Sequence, residues 1–179
     1  MQSIISEKPR FDEKLISIAA DADAFEGYSA GHSVRIAEMV DSLGLAFNFE
    51  PHDRLLLQQA ALVRNIGEMQ MNRDYIRSGR VLSSEERLDL QRHPVIGEQA
   101  AAKMGLSRGV QLIVRWHHEW WNGRGYPDGL IDKEIPYIAK IVNLADSFDA
   151  MTTDRPYKRR RAANEVIEEG RRAFHESLT

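Results

Sequence analysis

Trp116-His117-His118-Glu119-Trp120-Trp121-Asn122-Gly123-Arg124-Gly125-Tyr126-Pro127 is the stretch on which the reading of this chain turns. Two adjacent histidines run into a glycine-rich loop, with no room between them for a strand. Imidazoles placed in this way can turn toward one cleft, and Gly123 and Gly125 let backbone approach a ligand closely. Upstream, Ser107 is a helix cap, and Val110, Ile113, Val114 and Trp116 recur at helical spacing up to the pair. The histidines therefore stand where a helix gives way to an irregular loop.

Working outward, helical periodicity dominates and strand-like alternation is scarce. Leu15, Ile18 and Ala19 open an amphipathic helix running to about Phe25. A break at Gly27 and Gly31 separates it from a second, with Val34, Ile36, Ala37, Val40 and Leu43 inward and Gly44 suited to its end. A third opens near Pro51, and its run from Leu55 to Val63 is apolar enough for burial nearly all round. Ser83-Ser84-Glu85-Glu86 offers a cap and acidic first turn for a fourth. Pro94 interrupts that pattern, which places His93 at a helix junction. Pro136 begins a helix carrying Ile138, Ile141, Val142, Leu144, Ala145 and Phe148, and a last helix covers roughly Ala162 to Phe174. The expected fold is an all-α bundle of roughly seven helices with one irregular Gly-Tyr-Pro loop.

The 179 residues fit one domain with a proper core, here divided into a helical lead-in at 1–27 and a core at 28–179. Hydrophobic content of 42% and charged content of 28% are ordinary for a globular protein. A net charge of -3 gives no reason to expect nucleic-acid binding, and the basic run Arg159 to Arg161 lacks interleaved aromatics. The absence of cysteine excludes disulfides and thiolate metal sites. No apolar run approaches the roughly 20 residues of a membrane helix, so a cytoplasmic protein is expected.

The motifs together resemble the HD-GYP family, metal-dependent phosphodiesterases that cleave cyclic di-GMP. The resemblance rests on Tyr28-Ser29-Ala30-Gly31-His32-Ser33-Val34-Arg35, His93-Pro94 with Gly97, and the His117-His118 loop. It also takes in Asp146-Ser147-Phe148-Asp149-Ala150-Met151 and Arg155-Pro156-Tyr157-Lys158. It implies an HD-superfamily bundle whose metal positions here are His32, Arg64, Asn65, His93, His117, His118 and Asp146. It further implies that Tyr126 and Pro127 border a nucleotide pocket and that Arg155 and Lys158 approach phosphates. The loop of Gly123, Gly125, Tyr126 and Pro127 is implied to meet partner proteins such as GGDEF domains.

The departures from the family pattern carry the functional reading. Where relatives place His-Asp-x-Gly-Lys, this chain has Arg64-Asn65-Ile66-Gly67-Glu68. Asparagine is an uncharged, poorer ligand than the bridging aspartate, and arginine binds no cation. Arg64 can pair with Asp146 instead, or with Glu68 at i,i+4 if the helix continues through Gly67. His93, His117 and His118 remain as a three-imidazole set for one transition ion such as Fe, Zn or Mn, whereas a two-metal centre is not expected. The alternative for His32 is a hydrogen-bonded pair with Arg35, and for His93 a simple helix cap. Trp116 is expected in the core, and at least one of Trp120 and Trp121 at the surface. Asn122 stands where the family's loop commonly has an aspartate, and a weaker loop is expected from it.

Three readings stay open, in this order. The first is a degenerate domain acting by cyclic di-GMP binding or partner docking. The second is a phosphodiesterase with a metal site remodelled around Asn65 and Glu68. The third is a structural output module of a response regulator. The first helix, taken to lie outside the site, is the candidate surface for a homodimer.

Overall fold

The computed structural model of the chain describes residues 11–28, 31–153 and 159–176. Among them the order is α1 (Glu13–Glu26), α2 (His32–Ala46), α3 (Pro51–Val63), α4 (Ile66–Met71), α5 (Ser84–Leu90), α6 (His93–Lys103), α7 (Arg108–Trp116), α8 (Tyr137–Thr152) and α9 (Ala163–Glu176). Short 3₁₀ turns lie at Asp74–Arg77 and Asp132–Glu134. No strand occurs among the described residues; one antiparallel bridge, Asn122 to Ile131, pinches the Gly-Tyr-Pro loop. No described helix is long and apolar enough to cross a membrane.

Local chemistry sets most boundaries. Asp12 accepts from the Lys14 and Leu15 amides to start α1, and Gly27, at φ 79°, ends it in the left-handed region. Pro51 occupies the first turn of α3, where no intrahelical partner for its nitrogen is needed. Ser83 and Glu86 close a reciprocal capping box on α5, and Ser107 accepts from the Val110 amide to start α7. His93 opens α6 ahead of Pro94, at the junction expected for it, but its side chain makes no cap.

The all-α bundle is as expected; among the described residues it counts nine α-helices, the short α4 restarting the chain after the break at Val63. Two expectations need correction. Gly44 does not end α2, which runs two residues further. The glycine is there for packing, since a Cβ on it would lie 3.0 Å from Arg54 Cγ of α3. Leu55 is 48% exposed, so the α3 run is not buried all round; Leu57 and Ala60 to Val63 are the inward face.

The core joins Ile36, Ala37 and Val40 of α2 to Leu57 and Val63 of α3, Val110 and Val114 of α7, and Val142 and Ala145 of α8. α3 is the central element, packed against α1, α2, α7 and α8. α4 crosses α6 with backbone nearly touching: a Cβ on Gly67 would fall 2.0 Å from the His93 carbonyl oxygen and 2.8 Å from the Gly97 nitrogen. That crossing brings the 64–68 segment against the start of α6. Gly67→Ala is expected to cost about 1–3 kcal/mol by overpacking, read as a lower thermal midpoint. Gly170→Ala, whose Cβ meets open space in α9, should leave the midpoint unchanged or slightly raised. Equal midpoints for the two variants would refute the backbone crossing.

Candidate functional site

Arg64 stands at the break between α3 and α4 and is 0% exposed. Its Nε donates to Asp146 Oδ1 at 2.8 Å, and Nη1 donates to Ser33 Oγ and the Ala61 carbonyl, both at 3.0 Å. Nη2 lies 2.7 Å from His32 Nε2. A guanidinium only donates, so His32 Nε2 must accept, which leaves its proton on Nδ1, 2.8 Å from Asp149 Oδ2. Asp149 also takes Arg35 Nε at 3.3 Å, so Arg35 and His32 are joined through this carboxylate and not by the direct hydrogen bond anticipated, since Arg35 Nη2 and the protonated Nδ1 both donate. Burial works against the charge on Arg64, but the Asp146 and Glu26 carboxylates outweigh it and keep it protonated. Burial likewise pushes Asp146 up, and Arg64 more than compensates, holding the carboxyl below its usual range. His32 and Asp146 are thus committed to a protein-borne cation. The pairing of Arg64 with Asp146 is as expected; the alternative with Glu68 is not what neutralises it, because the helix breaks between them.

Beside this network, His93 from α6 and His117 and His118 from the end of α7 bring their ligand nitrogens within 4.8 Å of one another. His93 Nδ1 lies 2.8 Å from the Leu90 carbonyl, and His117 Nδ1 lies 2.6 Å from the Val114 carbonyl. Carbonyls accept, so each Nδ1 carries the proton and each Nε2 presents a bare lone pair. Those two Nε2 atoms face each other at 3.4 Å. Two acceptors cannot satisfy one another, so the arrangement asks for a cation between them. Burial lowers His93 to about 3, and His117 to about 4, and drives His118 well down. All three are neutral donors at ordinary pH, which suits them to hold a metal ion. Glu68 Oε1 is 3.9 Å from His93 Nδ1.

The loop is built around Glu119, a residue the sequence reading passed over. It is buried and accepts from the amides of Asp128, Gly129 and Leu130 at 2.7, 3.1 and 2.9 Å. Asp128 in turn binds Arg115 and the Trp116 indole nitrogen. Gly125 is obligatory: a Cβ there would sit 2.2 Å from the Trp120 nitrogen. Asn122 still accepts from the Arg124 amide at 3.0 Å, so the loop keeps that bond despite the missing carboxylate. Trp116 packs on the core, while Trp120 and Trp121 are 52% and 63% exposed, with Lys140 Nζ 5.0 Å above the Trp121 ring.

A cleft of about 340 Å³ runs over these groups, lined among others by Glu26, Asn65, Glu68, His118, Tyr126 and Asp146. Tyr126 stacks 4.8 Å from the His118 ring, and burial pushes its hydroxyl above the usual range; Pro127 does not line the cleft. Glu26 accepts from Asn65 Nδ2 at 3.0 Å, and burial together with Glu68 raises its carboxyl well above normal. Asn65 Oδ1 is buried with no hydrogen-bond partner. Asp23 accepts from the Ser33 amide and hydroxyl, steadying the serine that holds Arg64. Both acids belong to α1, so the first helix is part of the site, not outside it. One signal was available: Asp23 and Glu26 place negative charge at the negative end of a helix dipole, which is locally unfavourable. Arg155 and Lys158 lie outside the described residues.

The family model described as HD domain matches residues 10–175. A 3'3'-cGAMP-specific phosphodiesterase 3 of Vibrio cholerae is 32% identical over 136 residues, covering 76% of this chain and 30% of that protein. A cyclic di-GMP phosphodiesterase of Thermotoga maritima is 35% identical over 116 residues, covering 63% of this chain and 31% of that protein. The chain therefore spans about a third of the length of these curated relatives. A solved V. cholerae cyclic GMP-AMP specific phosphodiesterase superimposes with a TM-score of 0.67 at 20% identity, covering 88% of this chain and 43% of that one, which establishes the shared fold. With the family match running over nearly its whole length, the chain belongs to the HD domain family, in its HD-GYP branch.

Proposed function

We propose that this chain is a cyclic-dinucleotide-binding signalling domain in which a side chain has taken the place of one hydrolytic cation. Its relatives are named for cleaving cyclic di-GMP or cGAMP, and the cleft retains Tyr126 and the imidazole set. The observation that carries the reading is Arg64, buried and paired with Asp146. A unit charge and a dication about 4 Å apart repel by about 8 kcal/mol at an effective dielectric of about 20. That exceeds what Asn65 could recover as a neutral ligand, so the first metal position does not fit a metal. His93, His117 and His118 do fit one, and an ion there would polarise a phosphate oxygen. Arg155 and Lys158 are proposed to meet the phosphates. The exposed Trp120 and Trp121 support docking of a partner such as a GGDEF domain through the same loop. A cytoplasmic setting agrees with the cysteine-free composition.

A second reading is favoured by Glu68. Its carboxylate near His93 supports a remodelled phosphodiesterase working with one ion. The two readings separate on product: the binding reading predicts that cyclic di-GMP and 3'3'-cGAMP bind and are recovered intact, with at most one transition ion per chain by elemental analysis. Linear dinucleotide in the incubation would decide for the enzyme, and two ions per chain would remove the argument from Arg64. The His118→Ala variant should lose the ion.

The pairing itself predicts a stability cycle. Arg64→Leu leaves the half-buried Asp146 without its partner and is expected to lower stability in urea unfolding by about 2–3 kcal/mol, below the full cost of breaking a wholly buried pair because the carboxylate borders the cleft. Adding Asp146→Leu should recover most of that loss. Additive losses in the double variant would show that the two side chains do not interact.

A further inference from the structure

One wall of the cleft is not accounted for by metal or loop chemistry. It is formed by the segment between α4 and α5, from which Tyr75 and Arg80 line the cavity. Both are planar, and both are held by carboxylates of α5. Arg80 Nη1 and Nη2 donate to Glu86 Oε2 and Oε1 at 2.8 and 2.5 Å, and Nη1 also reaches the Val81 carbonyl at 3.2 Å. Glu86 is itself fixed, because its Oε2 accepts from the Ser83 amide at 2.9 Å within the capping box. The Tyr75 hydroxyl donates to Asp89 Oδ2 at 2.9 Å. Arg80 nonetheless keeps 54% of its side chain exposed.

We infer that Tyr75 and Arg80 form a stacking site for a purine base of the bound nucleotide, an inference that rests on the cyclic-dinucleotide reading above. Two ligand parts could meet Arg80, a phosphate or a base, and its partner decides between them. Its forked edge is already occupied by Glu86, and the Arg80 bond holds that carboxylate down to about 2, so the pair stays ionised and carries no net charge. A neutralised pair on the surface offers a phosphate little attraction. The flat face of a guanidinium, by contrast, stacks on aromatic rings whether or not its edge is occupied. Anchoring at the edge also pre-orders the plane, so less side-chain freedom is lost when a base arrives. Tyr75, with its own edge tied to Asp89, adds a second surface of the same kind.

The test is calorimetric titration of cyclic di-GMP and 3'3'-cGAMP into the wild-type chain and into Arg80→Ala, Arg80→Lys and Tyr75→Leu. Each substitution should weaken binding about tenfold, as loss of one stacked base does. Arg80→Lys keeps the charge but not the plane, so it should fall with Arg80→Ala. In Arg80→Ala combined with Glu86→Gln, which keeps the net charge of the pair at zero, the dependence of affinity on salt should stay that of the wild type, since no phosphate contact is lost. Thermal melts of all variants verify folding. Wild-type affinity in Arg80→Lys, or a shallower salt slope in the Arg80→Ala, Glu86→Gln double variant, would overturn stacking in favour of a charge contact. Unchanged affinity in Arg80→Ala would overturn the site altogether while leaving the binding reading intact. Failure of the wild-type chain to bind either nucleotide would instead sink the binding reading, and this inference with it.

Discussion

The ion pair between the fully buried Arg64 and Asp146 at the edge of the cleft ties the molecule together. The arginine sits at the break between α3 and α4, and the aspartate on α8. Through Ser33 and His32 the same guanidinium reaches α2, and through Ser33 it reaches Asp23 of α1. Four helices therefore converge on one side chain, much as they would converge on a coordinated ion. The energetic logic is also similar. Taking a guanidinium out of water costs several kcal/mol, and the cost is met only when every donor finds an acceptor. Here four of the five N–H groups do: one on Nε, two on Nη1 and one on Nη2.

The imidazole set next to it shows why this substitution need not empty the whole centre. His93 and His117 have their protons assigned by backbone carbonyls, independently of Arg64. Their lone pairs converge whether or not the neighbouring position holds a cation. A protein-borne charge at one position and a ligand set at the other can therefore coexist, because different elements hold them. The α4–α6 crossing at Gly67 keeps the two halves adjacent.

Much of the fold was legible because boundaries follow local chemistry. Pro51, Ser83, Ser107 and Pro136 each mark a helix start by capping or by fixed backbone geometry. Gly44 and Leu55 misled because their roles depend on neighbours: a tight crossing by Arg54, and a solvent-facing side of α3. In the site, His93, His117, His118, Arg64 and Asp146 could be picked out by residue type and motif. Glu26, Asp23 and Glu119 could not, since each acts through a contact distant in sequence: Asn65, Ser33 and the amides beyond Tyr126. Periodicity carries no information about such contacts.

The three departures within the 64–68 segment act as one rearrangement of charge. Arginine for histidine and asparagine for aspartate each add one positive charge at the inner end of the cleft, while glutamate for lysine removes two at its lining. The sum is unchanged, but the positive charge moves into the interior and the negative charge moves toward the ligand. Left alone, Glu26 and Glu68 would repel one another across the cleft. Burial, and after it that repulsion, raises the pKa of Glu26, while Arg64 and the Asn65 amide work to lower it. The guanidinium of Arg64 thus supplies the compensating positive charge at the inner end of the cleft. An anionic ligand entering this cleft meets neutral imidazoles, the acids Glu26 and Glu68, and a cation screened by Asp146. Its affinity must then come more from shape, stacking and peripheral basic residues than from a strong central field.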